Sequence, residues 1–271
     1  MSTLRNPVRT ARGVLPGVLA CAMALAGCNA GAARSPTPTV AAPTPTSASA
    51  APTTTSSAAG WVDRTVVFGH SVRGVALTAT EVGDPTLPAL LVIGCIHGNE
   101  PAGGAVVDRL QTTSARTGVH LWLVRTLNPD GEAADTRGNA HRVDLNRNFP
   151  DAWKAIGPPG STNYSGSGPL SEPESAAMAA LLEQTRPRVG IWFHQALDVI
   201  DISQGPRTFE DALAGALGVR ERALTDYPGS AIGFENQLQP ASAFAFELPG
   251  GALMDARAAQ IADAILAVGA H

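Results

Sequence analysis

Lysine is almost missing from this 271-residue chain: Lys154 stands against eighteen arginines, a bias we assign to base composition of the coding sequence and not to chemistry. Aromatic residues are also scarce, at 5%. Hydrophobic residues nevertheless reach 44%, which excludes a wholly disordered protein and gives enough apolar area for one sizeable core, though the length is too short for three domains. The first 60 residues contain no acid, only Arg5, Arg9, Arg12 and Arg34, so the remainder holds 15 basic against 23 acidic residues, a net of −8. No cluster of Lys and Arg offers the basic face needed to displace phosphate counterions, which excludes nucleic acid as a partner. Of three cysteines, Cys21 and Cys28 lie in the N-terminal segment and only Cys95 beyond it, so the folded part has no disulfide framework.

The N-terminal segment reads as an address followed by a tether. Residues 1–12 carry three arginines and precede an apolar stretch, Gly13 to Gly27, that has the length of a signal-peptide core and is too short to span a bilayer. It ends in Leu25-Ala26-Gly27-Cys28, which resembles the lipobox of bacterial lipoproteins and implies cleavage before Cys28 and acylation of its thiol. Residues 1–27 are thus expected to be a lipoprotein signal peptide. Residues 28–60 follow as the lipidated cysteine and a disordered linker of Ala, Pro, Thr, Ser and Gly, unable to bury enough apolar area to offset ordering entropy. At roughly 3.1 Å per residue the linker can reach about 100 Å. A domain at 61–271 would then be held outside the membrane by its lipid anchor.

From Trp61 onward the pattern alternates between strands and helices. Thr65–Phe68 and Val72–Thr80 predict an antiparallel hairpin, Ala89–Ile96 a strand buried on both faces, Pro101–Gln111 a helix and Val119–Arg125 a strand. Thr126–Gly168 lacks periodicity and is rich in Asn, Asp, Gly and Pro, the mark of a long functional loop. Ser171-Glu172-Pro173-Glu174 has capping-box spacing before a helix ending near Arg186, so both glutamates are expected to cap. Strands at Val189–Phe193, Val199–Ile202 and Ala243–Leu248, with helices at Phe209–Leu217 and Leu253–Val268, complete the pattern. The expected fold is α/β: a mostly parallel mixed central sheet, helices on both faces, and an antiparallel hairpin at the start.

Three of these strands lead to residues suited to chemistry. Ala89–Ile96 runs into His97-Gly98-Asn99-Glu100, Val189–Phe193 into His194, and Ala243–Phe246 into Glu247. Ligands of open α/β sheets bind beyond the carboxyl ends of the strands, so the fold itself would gather these four side chains. His97 and Glu100, three apart in a turn, can reach one zinc ion from the same side with His194 as third ligand, leaving Glu247 as a base. His141 and Asp144 share the spacing but lack a strand to fix them. His70, His120 and Cys95 read as structural, the last as a packed, inert thiol.

The series His97-Gly98-Asn99-Glu100, Asn128-Pro129-Asp130-Gly131, Asp144 to Pro150, His194 and Phe246-Glu247-Leu248 is similar to the zinc carboxypeptidases of the M14 (carboxypeptidase A) family. It most resembles the short bacterial members that include murein peptide amidases. The resemblance implies one Zn²⁺ on His97, Glu100 and His194, with Glu247 as general base and Arg137 polarising the scissile carbonyl. It implies that Asn146 and Arg147 hold the substrate's terminal carboxylate, that Tyr227 contacts substrate, and that Asp144 orients His97.

The expected function is hydrolysis, by a zinc-dependent carboxypeptidase or amidase, of a peptide or amide bond beside a free carboxylate terminus. The anchored location points to cell-wall peptides as substrate. Two alternatives stand beside this: a zinc deacylase of small N-acyl amino acids, and a non-catalytic cell-wall-binding lipoprotein that keeps the fold.

Overall fold

The computed structural model describes residues 60–113, 118–203, 206–238 and 242–270. The signal peptide, Cys28 and nearly all of the linker lie outside the described residues. Among the described residues no helix is long and apolar enough to cross a membrane.

Among the described residues seven strands form one mixed sheet. β1 (Val62–His70) and β2 (Ala76–Gly83) make the expected antiparallel hairpin, and β2 pairs antiparallel with β4 (His120–Val124). β3 (Ala89–Ile93) lies parallel between β4 and β5 (Val189–Asp201). β5 in turn pairs in parallel with β7 (Ser242–Pro249), and its C-terminal end with β6 (Arg220–Arg222).

Period-two alternation sends neighbouring side chains of one strand into different cores. Leu90 and Val92 pack with α1 (Gly103–Thr112), α4 (Thr208–Leu217) and α6 (Asp255–Gly269) on one face. Leu91 and Ile93 pack with α3 (Pro173–Thr185) and α5 (Ala231–Leu238) on the other. This double burial is why β3 reads as an unbroken apolar run.

The structure corrects the sequence reading in three places. The stretch 126–168 contains α2 (Pro129–Ala134) and a 3₁₀ turn (Leu145–Arg147). Asn128 caps α2 by accepting from Gly131 N at 2.9 Å, with proline at the first helical position, so Asn-Pro-Asp-Gly carried a helix-start signal. The two strands predicted around 189–202 are one, β5, while β6 and α5 were not foreseen.

The third correction concerns the glutamates before α3. Glu172 is the N-cap residue but makes no side-chain cap, and the expected capping box is absent. Asn139 Nδ2 instead donates to both carboxylates, to Glu172 Oε2 at 2.8 Å and to Glu174 Oε2 at 3.0 Å. Glu174 Oε1 also accepts from Val72 N at 2.9 Å, and Glu172 Oε2 lies 2.8 Å from His141 Nδ1. Two buried carboxylates thus take up long-range donors from the 139–141 loop and the β1–β2 turn, a stronger demand than a local cap can meet.

Asparagine does similar work elsewhere in this segment. Asn148 Nδ2 donates to Ser165 O and Gly168 O, and Asn128 Nδ2 to Ile96 O and Arg137 O. Polar side chains satisfy the buried backbone where no sheet or helix does.

Beneath the sheet, α5 carries a carboxyl group into the core. Glu235 is 1% exposed and accepts from Trp192 Nε1 at 2.7 Å, while its Oε1 has no hydrogen-bond partner among the described residues. Gly190 makes room for it, since a Cβ there would stand 2.1 Å from Oε1. Burial pushes the Glu235 carboxyl up to about 8, from an ordinary 4.5. The folded chain therefore keeps a proton that the unfolded chain releases. This group's contribution to stability is complete below pH 4.5 and declines as pH rises toward 8. Glu235→Gln keeps an oxygen for Trp192 and removes the titration. Urea midpoints from pH 5 to 8.5 should show the variant gaining on the wild type with rising pH, by no more than about 1.4 kcal/mol per pH unit. Parallel curves would show that Glu235 does not titrate in this range.

Candidate metal centre and substrate cavity

His97 comes four residues after β3, and the turn that carries it closes with Glu100 N donating to His97 O at 2.9 Å. Gly98 within that turn has α2 against it: a Cβ would lie 2.0 Å from the carbonyl carbon of Gly131, so no other residue fits without moving the helix. Cys95 donates its thiol to His97 O at 3.1 Å, and burial pushes it up to about 12, as expected of an inert thiol.

His194 and Glu247 sit inside their strands and not just past them, because β5 runs on to Asp201 and β7 to Pro249. They are direct cross-strand partners in the parallel β5–β7 ladder, and register sets them side by side.

His97, Glu100 and His194 meet in a compact triangle. His97 Nδ1 lies 2.9 Å from Glu100 Oε2, His194 Nδ1 lies 3.0 Å from the same oxygen, and the two Nδ1 atoms are 3.1 Å apart. Among the described residues this is the group of three His, Cys, Asp or Glu side chains able to hold a metal ion. Tetrahedral ligands about 2.05 Å from zinc stand about 3.3 Å from one another, so the donor set fits with small adjustment. Two lone-pair nitrogens and an oxygen converging without a separate proton for each contact also suit a cation.

Asp144, fully buried, stands behind this triangle. Its Oδ1 is 3.0 Å from His97 Nε2 and accepts from Asn146 N at 3.0 Å, while Oδ2 accepts from Arg137 Nε at 2.9 Å. Burial opposes ionisation, but His97, Arg137 and Arg147 together hold its carboxyl well below the usual range. As acceptor at Nε2, Asp144 leaves the His97 Nδ1 lone pair facing the triangle. Arg137 also donates from Nη1 to Glu100 Oε1 at 3.1 Å, and its Nη2 has no hydrogen-bond partner among the described residues.

Glu247 flanks the triangle with its Oε2 buried and without a hydrogen-bond partner among the described residues. Burial, with the Glu100 charge adding to it, holds its carboxyl above the ordinary range against the pull of His194. Asn146 spends its Oδ1 on Ala231 N at 2.9 Å, which fixes the start of α5, and its Nδ2 is 3.5 Å from His194 Nε2. Arg147 donates to Asn146 O and stacks its guanidinium on the half-exposed Tyr227 ring, 4.2 Å from the centroid.

His97, Glu100, Arg137, Asn146, Arg147, His194, Tyr227 and Glu247, all expected from the sequence, line a single open cavity of about 330 Å³. Asp144 lies behind it, and Cys28 falls outside the described residues. His141 pairs with Glu172, away from the triangle. Other lining residues, including Asp201, Arg222, Asp226 and Ile232, were missed by sequence reading. They run from the end of β5 to the first turn of α5, a stretch where no local motif marks a cavity.

Comparisons with known proteins agree with this geometry. Residues 61–205 match the zinc carboxypeptidase family model, just over half the chain and including every cavity residue named above up to His194. Carboxypeptidase SOL1 of Arabidopsis thaliana is 35% identical over 109 residues, 34% of this chain and 22% of that protein. Murein peptide amidase A of Escherichia coli K12 is 31% identical over 149 residues, 49% of this chain and 60% of the relative. The crystal structure of murein-tripeptide amidase MpaA from Escherichia coli O157 superposes with a TM-score of 0.59 at 27% identity, covering 75% of this chain and 90% of that one. The sheet order, the donor triangle and the matched span lead to one assignment: the chain belongs to the zinc carboxypeptidase (Peptidase_M14) family.

Proposed function

We propose that this protein is a zinc-dependent carboxypeptidase or amidase that cuts a peptide or amide bond next to a free terminal carboxylate, with cell-wall peptides as substrate. The observation that carries this is the His97, Glu100, His194 triangle beside the unpartnered Glu247 Oε2, in the cavity that also holds Arg147. The murein peptide amidase relatives and the lipobox-like Leu25-Ala26-Gly27-Cys28 support the cell-wall reading and an extracytoplasmic, lipid-anchored location.

His97, Glu100 and His194 are the residues that would hold zinc, which when bound acidifies water and polarises a carbonyl. Glu247 takes the proton of the attacking water at Oε2 and returns it to the leaving amine, and its desolvated site makes it a stronger base than an exposed glutamate. Arg137 is already anchored by Asp144 and Glu100, so its remaining Nη2 donor can meet charge developing on the carbonyl oxygen without reorganising. Arg147 binds the terminal carboxylate with its guanidinium fork, Asn146 Nδ2 adds a donor, and Tyr227 covers the bound residue from the rim.

Muropeptides and model peptides digested by the purified protein, with products resolved by mass, should be cut in a reaction that a chelator abolishes and added zinc restores. Intact muropeptides beside trimmed ordinary peptides would remove the cell-wall assignment. Glu247→Gln should retain stoichiometric zinc by metal analysis while kcat drops about 10²-fold to 10⁴-fold; a wild-type rate would take Glu247 out of the chemistry. Arg147→Ala should raise KM for free-acid peptides by about ten- to a hundredfold, and amidating the peptide terminus should harm the wild type far more than the variant. Equal losses in both proteins would place the carboxylate elsewhere.

A further inference from the structure

The cavity holds three guanidinium groups in different states of compensation. Arg137 is ion-paired to Glu100 and Asp144. Arg147 has an aromatic ring and a backbone carbonyl but no carboxylate partner. Arg222, the exposed last residue of β6, also lines the cavity and forms no ion pair or side-chain hydrogen bond among the described residues.

Its strand partner does not neutralise it. Asp201 pairs with Arg222 in the β5–β6 register, but its carboxylate is consumed locally: Oδ1 accepts from Ser203 N and Leu224 N, each at 2.9 Å, and Oδ2 from Ser203 Oγ at 2.7 Å. These bonds fold the segment after β6 along the cavity wall. Glu221, next to Arg222, lies instead beside Arg207, 3.7 Å away. Among the described residues the cavity therefore presents two arginines without an ion-pair partner on separate elements, and the reaction proposed above accounts for one.

We propose that Arg222 is a specificity-determining residue that pairs with a second carboxylate, carried on the side chain of the substrate's terminal residue. This rests on the reading of Arg147 as the site for that residue's own terminal carboxylate. A neutral side chain would leave Arg222 to solvent, and a cationic one would meet it with like charge. Asp226 also lines the cavity, so an ammonium group carried beside the second carboxylate would find an acid as well as a base there. The favoured class is a terminal residue with an acidic or amphoteric side chain.

The test compares peptides identical except for a terminal glutamate, diaminopimelate, leucine or lysine, using the full chain loaded with zinc. The wild type should favour the first two by about tenfold or more in kcat/KM, chiefly through KM. Arg222→Gln should remove that preference by lowering kcat/KM far more for the glutamate and diaminopimelate peptides than for the leucine peptide, and Arg222→Lys, which keeps charge without the fork, should restore part of it. Calorimetric binding of the same peptides to Glu247→Gln protein, with and without Arg222→Gln, reads the contact apart from turnover. Retained binding preference without hydrolysis would sink the proposed activity and uphold the role of Arg222. A wild type that favours leucine or lysine, or an Arg222→Gln change that weakens all four peptides equally, would overturn it.

Discussion

The contact between His97 Nε2 and the buried Asp144 carboxylate organises the site. One oxygen of Asp144 faces the imidazole and also caps the 3₁₀ turn through Asn146 N, while the other holds Arg137. A single side chain thus orients a histidine after β3, an arginine in the long loop, and the turn that presents Asn146 and Arg147. Burying a carboxylate is costly unless it is paired and hydrogen-bonded, and here each oxygen is engaged. The same pairing that makes the burial tolerable aims His97 Nδ1 at Glu100 and His194.

Around this point the molecule divides its labour between rigid and adaptable parts. The parallel β5–β7 ladder places His194 and Glu247 by backbone hydrogen bonds, which leave little freedom. The segment between β4 and α3 has no such ladder. It is held by polar struts, above all Asn139 reaching both Glu172 and Glu174 at the start of α3. Those two glutamates lie far from the cavity in sequence, yet they secure the loop that carries Arg137 and Asp144.

Legibility followed the range of the interactions. The strand after residue 88 was readable because burial on both faces demands an apolar run, and the hairpin because β-branched residues flank a turn. The glutamates before α3 misled because Ser-x-x-Glu spacing is a local signal, whereas three of their four carboxylate oxygens meet donors 31 to 102 residues away and only Glu172 Oε1 takes the neighbouring Ser171 hydroxyl. β6 was illegible for another reason: three exposed residues, Arg220 to Arg222, carry no hydrophobic pattern and are a strand only because β5 extends to meet them. The wall containing Arg222 was hidden with it.

By itself the order of residues determined the alternation of strands and helices, the His97-x-x-Glu100 turn after a buried strand, and the kinds of donor that could converge, since these depend on neighbours within a few positions. Only tertiary structure decided that His194 and Glu247 stand abreast in one ladder, that Asn139 ties Glu172 to Glu174, and that Arg222 shares a cavity with Arg147. Register and long-range hydrogen bonding join segments tens of residues apart, and their energies depend on which partners arrive, a quantity no local stretch of sequence contains.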